Sequence, residues 1–188
     1  NYEAFEQLVE RHQNAVYSLA MRILRRPEDA EDVVQQTFLS AMENLDRFAG
    51  KSQFRTWLIR IATNYALKIL RKRRGLSIAR WESDEEGMVE LPHPQFIAPW
   101  RQDPGQIAQN REIQQFIAEA LAQLDDKYRL VFILRDIEGL SVEETAEALQ
   151  ISISNVKVRL LRARLMLREQ LTRSLGDPQR QIVGGHDH

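Results

Sequence analysis

The chain has 188 residues, enough for one substantial hydrophobic core or two small ones, and its formal net charge is −1. It contains no cysteine, which excludes disulfide bonds and thiolate zinc sites and agrees with a reducing compartment. The sequence has neither an apolar run long enough to span a membrane nor a signal peptide, so we expect a soluble, cytoplasmic protein.

Charge is unevenly distributed along this nearly neutral chain. Lys and Arg outnumber Asp and Glu by 13 to 9 over residues 1–74 and by 6 to 1 over residues 148–175. Acidic residues dominate between these segments, by 6 to 2 over residues 75–110 and by 9 to 4 over residues 111–147. Such segregation favours an anionic partner that meets particular faces of the protein.

Three amphipathic helices are predicted in the first 74 residues, because apolar residues recur there at helical spacing. The first is already under way at Asn1, so we expect a short segment to precede it. Its predicted core stripe is Phe5, Leu8, His12, Val16, Leu19 and Ile23. The second begins at Pro27, where a missing N–H costs least, and its predicted stripe is Ala30, Val34, Phe38, Ala41, Leu45 and Phe48. The third covers FRTWLIRIATNYALKILRKRR, with a predicted seam of Phe54, Leu58, Ile61, Tyr65 and Ile69.

One flank of the third helix combines an aromatic ring, an amide and cations. At about 100° per residue, Trp57, Arg60 and Asn64 lie together beside the seam. The helix ends with four consecutive cations, Arg71, Lys72, Arg73 and Arg74. Favourable placement at the negative end of the helix dipole accounts for these cations without any ligand. The alternative is phosphate contact, beside side chains that can stack on and hydrogen-bond an unpaired base.

A linker is predicted after this helix, because four of the six prolines fall between Gly75 and Ile107. The linker is acidic, yet it carries large apolar side chains that can pack on either neighbouring domain: Trp81, Phe96, Ile97 and Trp100.

Residues 139–167, GLSVEETAEALQISISNVKVRLLRARLML, contain two helical patterns joined by a short turn. Ser141 and Glu144 have the spacing of a capping box at the start of the first. The second begins near Ser154, with a stripe of Val156, Leu160, Ala163, Leu167 and Leu171. This pattern predicts a helix-turn-helix, whose second helix enters the major groove of DNA. An ordinary helical hairpin with a solvated basic face is the alternative.

The face of the second helix opposite its stripe is the predicted DNA surface. It carries Ser154, Lys157, Val158, Leu161 and Arg162. Three cations flank it and suit phosphate contacts, namely Arg159, Arg164 and Arg168. The acidic residues are confined to the preceding helix, which we expect to face away from the duplex.

These segments together resemble the extracytoplasmic-function group of bacterial sigma factors, the promoter-specificity subunits of RNA polymerase. The resemblance covers residues 1 to about 174 and rests on AEDVVQQTFLSAMENLDRF, FRTWLIRIATNYALKILRKRR and LRDIEGLSVEETAEALQISISNVKVRLLRARLML, in the family's order and spacing. It implies an all-α fold of two small helical domains. These are sigma region 2 over residues 1–74 and sigma region 4 over residues 109–175, joined by a flexible linker over 75–108 and followed by a flexible tail over 176–188.

The resemblance also implies which residues contact which partner. Core RNA polymerase would bind the second helix through Asp29, Asp32, Gln35 and Gln36. The minus-ten element of promoter DNA, with a flipped base held at Asn64, would be contacted by Phe48, Trp57, Arg60, Asn64, Lys68, Arg71, Lys72, Arg73 and Arg74. The minus-thirty-five element, bound as duplex, would be contacted by Arg135, Ser154, Asn155, Lys157, Val158, Arg159, Leu161, Arg162 and Arg164.

Two positions depart from the family pattern. Lys68 stands where the family often has an acid or an amide, which bears on the minus-ten preference. Gln150 replaces the common glycine of the turn, so either it adopts a conformation that glycine takes easily or the turn differs.

The family implies an anti-sigma factor as a further partner, and a membrane-bound one would hold the chain at the inner membrane. We expect no cofactor, metal site, small-molecule substrate or enzymatic activity. His12 fits the core, and His186 and His188 are too few to form a complete set of metal ligands. The sequence contains no phosphate-binding loop and neither of the catalytic motifs HExxH and GxSxG. The remaining alternatives are a DNA-binding regulator that acts without polymerase and a nucleic-acid hydrolase.

Overall fold

The computed structural model describes residues 1–75 and 111–175, with the side chains of 112, 113 and 172–175 excepted. The predicted linker and tail lie outside the described residues, as do Trp81, Phe96, Ile97, Trp100, His186 and His188. Every regular element within the described ranges is helical, which confirms the predicted all-α class. None of the described helices combines the length and apolar character that crossing a bilayer requires.

The first three helices, α1 (Tyr2–Leu24), α2 (Pro27–Glu43) and α3 (Phe54–Arg74), pack on one another as a bundle. Pro27 is the first residue of α2, as predicted. On α1, Val16, Leu19 and Ile23 are buried as predicted, whereas His12 is half-buried near the bundle's edge. The bundle core therefore concentrates in the C-terminal half of α1.

The second helix is shorter than the sequence predicts. It ends at Glu43, and a 3₁₀ turn (Leu45–Arg47) follows. The Ser40 carbonyl accepts from the Asn44 backbone N–H at 3.1 Å and also from the Asn44 side-chain amide at 2.8 Å, and this second bond favours the end of the helix there. The prediction that Leu45 continues the core stripe is wrong, because Leu45 lies exposed beyond the helix.

The core face of α3 is rotated by roughly 100° from the predicted seam. Its buried residues are Leu58, Ile59, Ala62, Thr63, Ala66, Leu67 and Leu70. Of the predicted seam only Leu58 is among them, while Ile61, Tyr65 and Ile69 are partly buried beside the core. The buried face includes two alanines, which allow α1 and α2 to approach α3 closely. A prediction that assigns only large apolar residues to the core does not select these alanines.

The second unit consists of α4 (Arg111–Gln123), α5 (Asp126–Phe132), a π-helical turn (Ile133–Ile137), α6 (Val142–Leu149) and α7 (Ile153–Leu175). The long α7 packs on α4, α5 and α6. Its residues Val156, Leu160, Ala163 and Leu167 are buried, as the predicted stripe requires.

The two helical units pack against each other. Leu130, Ile133, Leu134 and Leu140 belong to the same buried apolar cluster as the bundle core. Arg129 on α5, only 2% exposed, donates to the carbonyls of Arg22 and Ile23 at the C-terminal end of α1. It also donates to Asp126 at 2.7 Å. A cation at the negative end of a helix is favourably placed, so Arg129 caps α1 from the other domain.

Candidate nucleic-acid interface

The exposed edge of α3 carries a row of polar side chains one helical turn apart. Asn64, Lys68 and Lys72 are all exposed, and none of the hydrogen bonds or ion pairs found among the described residues involves them. The spacing of four residues places them on one line along the helix. The amide and the two cations are therefore available together to a ligand in solution.

An aromatic cluster stands at the N-terminal end of this row. The Trp57 ring lies 5.1 Å from that of Phe48 and 5.6 Å from that of Phe54, and the Phe48 ring meets Phe54 edge-on at 5.8 Å. These separations are those of favourable aromatic pairs. The predicted grouping of Phe48 with Trp57 therefore exists, although Phe48 reaches it from the loop after the 3₁₀ turn and not from α2.

His12 completes this cluster on its other side, with its ring 5.5 Å from that of Phe54. Burial, followed by the charges of Arg11 and Arg55, lowers the pKa of His12 below its ordinary value of 6.5. The lowered pKa favours the neutral imidazole beside the aromatic rings, at the half-buried edge of the bundle.

The other edge of the α3 flank is covered by α6. A guanidinium nitrogen of Arg60 donates to Oε1 of Glu144, and Nη2 of Arg71 donates to the Ala148 carbonyl at 3.1 Å. Both arginines were predicted to contact DNA, yet in this conformation both are bonded to the first helix of the helix-turn-helix. The acidic helix, expected to face away from the DNA duplex, therefore lies against cations of α3 in this conformation.

The last two cations of α3 also differ from the prediction of a free basic cluster. Arg73 donates to Asp29 and to the Leu24 carbonyl, each at 2.9 Å. Arg74 lies 2.9 Å from Asp126 of α5. Of the four consecutive cations, Lys72 alone extends into solvent without a bond found among the described residues. The bonds of Arg73 and Arg74 run to neighbouring elements, so these two cations take part in packing the molecule together.

The helix-turn-helix has the local geometry that the sequence predicts. The Ser141 hydroxyl accepts from the Glu144 N–H and the Glu144 carboxylate accepts from the Ser141 N–H, both at 3.0 Å. Gln150 adopts the left-handed conformation, with φ 58° and ψ 42°, as its place in a glycine-type turn requires. The next helix starts at Ile153, and the Ser152 hydroxyl accepts from the Asn155 N–H at 3.1 Å.

The solvent face at the start of α7 matches the predicted DNA surface in part. Ser154 and Lys157 are exposed, and the remaining members are partly buried: Asn155, Val158, Leu161 and Arg162. Sequence reasoning missed Ile153, which is 44% exposed at the first position of the helix. An apolar side chain there can contact a thymine methyl group, and the one signal in the sequence was its place just after the turn.

Three arginines of the predicted DNA surface are engaged inside the protein. Arg159 is 2% exposed, because it lies about 60° from Val156 on the helical wheel and so borders the buried stripe. Arg164 makes two bonds to Asp136, at 2.7 and 2.6 Å, and Arg135 donates to the Leu140 carbonyl. The expectation that Arg159 projects from the surface is wrong. Arg164 and Arg135 instead hold the π-helical turn in place.

The exposed face of α2 carries Asp32, Gln35 and Gln36, as predicted. Asp29 is half-buried and bonded to Arg73, so it is not the freely exposed acid that the sequence suggested. Two large apolar residues that were not singled out follow on this face, Leu39 at 47% and Met42 at 52% exposure. Leu39 stands seven residues after Asp32 and Met42 seven after Gln35, so both continue the exposed face of the helix.

No cluster of three or more His, Asp or Glu side chains suited to a metal ion occurs in the described part of the chain. Two cavities lie between helices there. One of about 690 Å³ separates α1 from α4, and one of about 340 Å³ lies between α1 and α2. Neither gathers the residues predicted to contact DNA.

Comparison with known proteins adds independent findings. Residues 8–75 match the family model of sigma-70 region 2, and residues 115–167 match that of sigma-70 region 4. The extracytoplasmic-function RNA polymerase sigma factor SigW of Bacillus subtilis is 34% identical over 170 residues, covering 90% of this chain and 89% of the relative. The sigma-E factor of Haemophilus influenzae is 31% identical over 172 residues, covering 90% and 88%.

Two solved structures are similar in fold. CnrH, in complex with the cytosolic domain of CnrY, has a TM-score of 0.54 and 29% identity, with 92% of this chain and 90% of that chain covered. The sigma factor RpoE of Bartonella quintana, in complex with the anti-sigma factor NepR, has a TM-score of 0.57 and 26% identity, with 90% and 98% covered.

Proposed function

The chain belongs to the extracytoplasmic-function RNA polymerase sigma factors, alternative sigma factors that direct RNA polymerase to promoters, and from this membership we propose which surface contacts which partner. Its partners are core RNA polymerase, promoter DNA and an anti-sigma factor. The family favours this role over that of a regulator that acts without polymerase. In our proposal the chain only binds, and the chemistry of RNA synthesis belongs to the polymerase.

The minus-ten element is contacted by the exposed edge of α3. Asn64 hydrogen-bonds an unpaired base, with Phe48 and Trp57 forming the wall against which the base stacks. Lys68 and Lys72 contact the backbone of the same strand. The observation that carries this assignment is the line of three exposed polar side chains beginning beside an aromatic cluster.

The minus-thirty-five element is contacted as duplex by the N-terminal half of α7. Lys157 and Arg162 supply polar contacts to base edges, while Ile153, Val158 and Leu161 offer apolar contacts to thymine methyl groups. Ser154 and Asn155, next to the helix N-terminus, suit phosphate oxygens.

Core polymerase binds the exposed face of α2. Asp32, Gln35 and Gln36 form its polar part, and Leu39 and Met42 extend it with apolar surface. Exposed apolar residues next to polar ones are typical of a protein interface. We assign the chain to the cytoplasm, where a membrane-bound anti-sigma factor would hold it at the inner membrane.

The experiment that tests the minus-ten assignment is transcription in vitro by core polymerase with this chain on a promoter library. Asn64→Ala should change the preferred base at one minus-ten position. Gln7→Ala, an exposed amide on α1 outside the surface assigned to DNA, is the control and should leave the preference as it is. An Asn64→Ala profile identical to that of the unmodified chain would contradict the role given to Asn64.

A further inference from the structure

The larger of the two cavities lies between α1 and α4, and the π-helical turn also lines it. Its volume of about 690 Å³ falls in the range of pockets that bind small molecules, about 300–1,000 Å³. Most of its lining is apolar, and the larger part of that apolar lining is formed by Met21, Ile117, Ala118, Leu121, Ile133 and Ile137. The cavity is therefore suited to the apolar part of a ligand.

Three arginines line the same cavity, and one of them has no acidic partner. Arg22 and Arg129 each have a carboxylate partner, at 3.2 and 2.7 Å respectively. The third, Arg25, donates to the neutral carbonyl of Ala122 at 3.0 Å. None of the ion pairs found among the described residues involves Arg25. Its positive charge is therefore not balanced by a carboxylate of the described chain.

Arg129 has an unfilled hydrogen-bond donor close to Arg25. Its side chain is 2% exposed, and its Nε has no hydrogen-bond partner among the described residues. Burial lowers the pKa of Arg129, Asp126 acts in the opposite direction, and the charges of Arg25 and Arg74 lower it again. Asp126 is itself shared between Arg129 and Arg74. Three guanidinium groups thus lie around one carboxylate, and this local excess of positive charge attracts anions.

The chemistry of the lining distinguishes between classes of ligand. Asp136, the acid that lines the cavity, is already bonded to Arg164 at 2.7 and 2.6 Å. A carboxylate or phosphate oxygen can accept from Arg25 and from Nε of Arg129, because guanidinium groups bind both kinds of oxyanion well. An inorganic anion alone would leave the apolar lining uncovered. A neutral hydrocarbon would leave the two guanidinium groups without an acceptor.

From this combination we infer that the cavity between α1 and α4 binds a small amphipathic anion, namely a single alkyl chain that ends in a carboxylate or a phosphate. The oxyanion lies between Arg25 and Arg129, and the alkyl chain lies against Ile117, Leu121 and Ile137. The site is separate from the surfaces assigned to DNA and to core polymerase, because none of the residues of those surfaces lines it.

Isothermal titration calorimetry of the full chain with octanoate, below the concentration at which it forms micelles, tests the inference. We expect saturable binding of one octanoate per chain. Acetate carries the charged head without the chain, and octanol carries the chain without the charge. Each should bind about tenfold more weakly than octanoate, or weaker still. A parallel titration with octyl phosphate identifies the preferred head, and saturable binding of either amphipathic anion supports the inference.

Two substitutions place the binding in this cavity. Arg25→Gln removes the unbalanced charge and should weaken octanoate binding about tenfold. The matched control is Arg26→Gln, which removes the adjacent exposed cation that does not line the cavity and should leave the affinity unchanged. Ala118→Leu, at an exposed position of α4 that lines the cavity, should weaken binding by filling the space for the alkyl chain. It decides the question if circular dichroism shows that Arg25→Gln has lost helix.

Equal affinity for octanoate in Arg25→Gln, Ala118→Leu and the unmodified chain would overturn the inference, because the anion would then bind elsewhere on the surface. Acetate or octanol binding as tightly as octanoate would also overturn it, as would the absence of binding by both amphipathic anions. Each of these results would leave the sigma-factor assignment intact, because promoter-directed transcription with core polymerase is measured separately.

Discussion

At the level of single residues, Gln150 holds a left-handed backbone conformation at the turn of the helix-turn-helix, with φ 58° and ψ 42°. This is one of the two alternatives that its replacement of the usual glycine left open. The burial of Arg159 and the pairing of Arg164 with Asp136 could not be foreseen. Both depend on how α7 packs on the other helices of its domain. A helical wheel gives the direction in which a side chain leaves the helix, but it does not identify the residue that the side chain contacts.

The strain at Gln150 leads to a stability prediction. Replacing Gln150 by glycine relieves a left-handed conformation that costs an L-residue roughly 1–2 kcal/mol, offset by about 0.5–1 kcal/mol of extra entropy in the unfolded chain. Gln150→Gly should therefore raise the free energy of unfolding by up to about 1 kcal/mol, as urea denaturation would measure. Gln150→Val, whose branched side chain tolerates this conformation less well, should lower it. A glycine variant clearly less stable than the valine variant would show that the turn is held differently.

The neutral His12 leads to a prediction about pH. Its pKa in the folded chain is lowered below 6.5, so the unfolded chain takes up a proton more readily. The stability that His12 contributes is present above pH 6.5 and is lost as the pH falls through the lowered pKa. The free energy of unfolding should thus fall between pH 7.5 and pH 5.5 more steeply in the unmodified chain than in His12→Gln. Equal slopes in the two proteins would contradict this account of the aromatic cluster.

At the scale of elements, helix positions and caps followed from local signals. Pro27 at the start of α2 and the Ser141–Glu144 capping box were both predicted correctly. The end of α2 and the core face of α3 were not. Asn44 ends α2 through a bond to its own helix, and α3 buries Ala62 and Ala66 where larger residues seemed better candidates. Periodicity identifies an apolar face, but α3 has apolar residues on two faces.

The assignment of α7 as the recognition helix predicts that removal of either of two of its cations weakens DNA binding. Lys157→Ala and Arg162→Ala should each weaken binding of the holoenzyme to a minus-thirty-five duplex by about 1–3 kcal/mol. Competition between duplexes of different sequence would show whether base preference relaxes as well. Arg111→Ala removes an exposed cation at the start of α4 and should have little effect. Equal losses of binding affinity in all three variants would indicate that the chain attracts DNA through its general positive charge and not through specific contacts of α7.

At the scale of the whole molecule, the order of the helices and their division into two units followed from sequence pattern and family resemblance, whereas their packing did not. The contacts of Arg129 with α1 and of Glu138 with Arg22 join residues more than 100 positions apart. Each of these side chains, taken alone, has the pattern of an ordinary surface charge. Only the three-dimensional arrangement shows that a basic surface and an acidic helix within one chain can bind each other.

As a sigma factor, one chain contacts a promoter at two places, as duplex upstream and as separated strands downstream, and only together with core polymerase. Footprinting on a promoter selected from the library, with permanganate to detect unpaired thymines, tests this most directly. We expect protection of the minus-thirty-five element and reactive thymines at the minus-ten element when chain and core are both present, and neither with the chain alone. Equal protection by the chain without core, or a core enzyme that the chain never occupies, would contradict it.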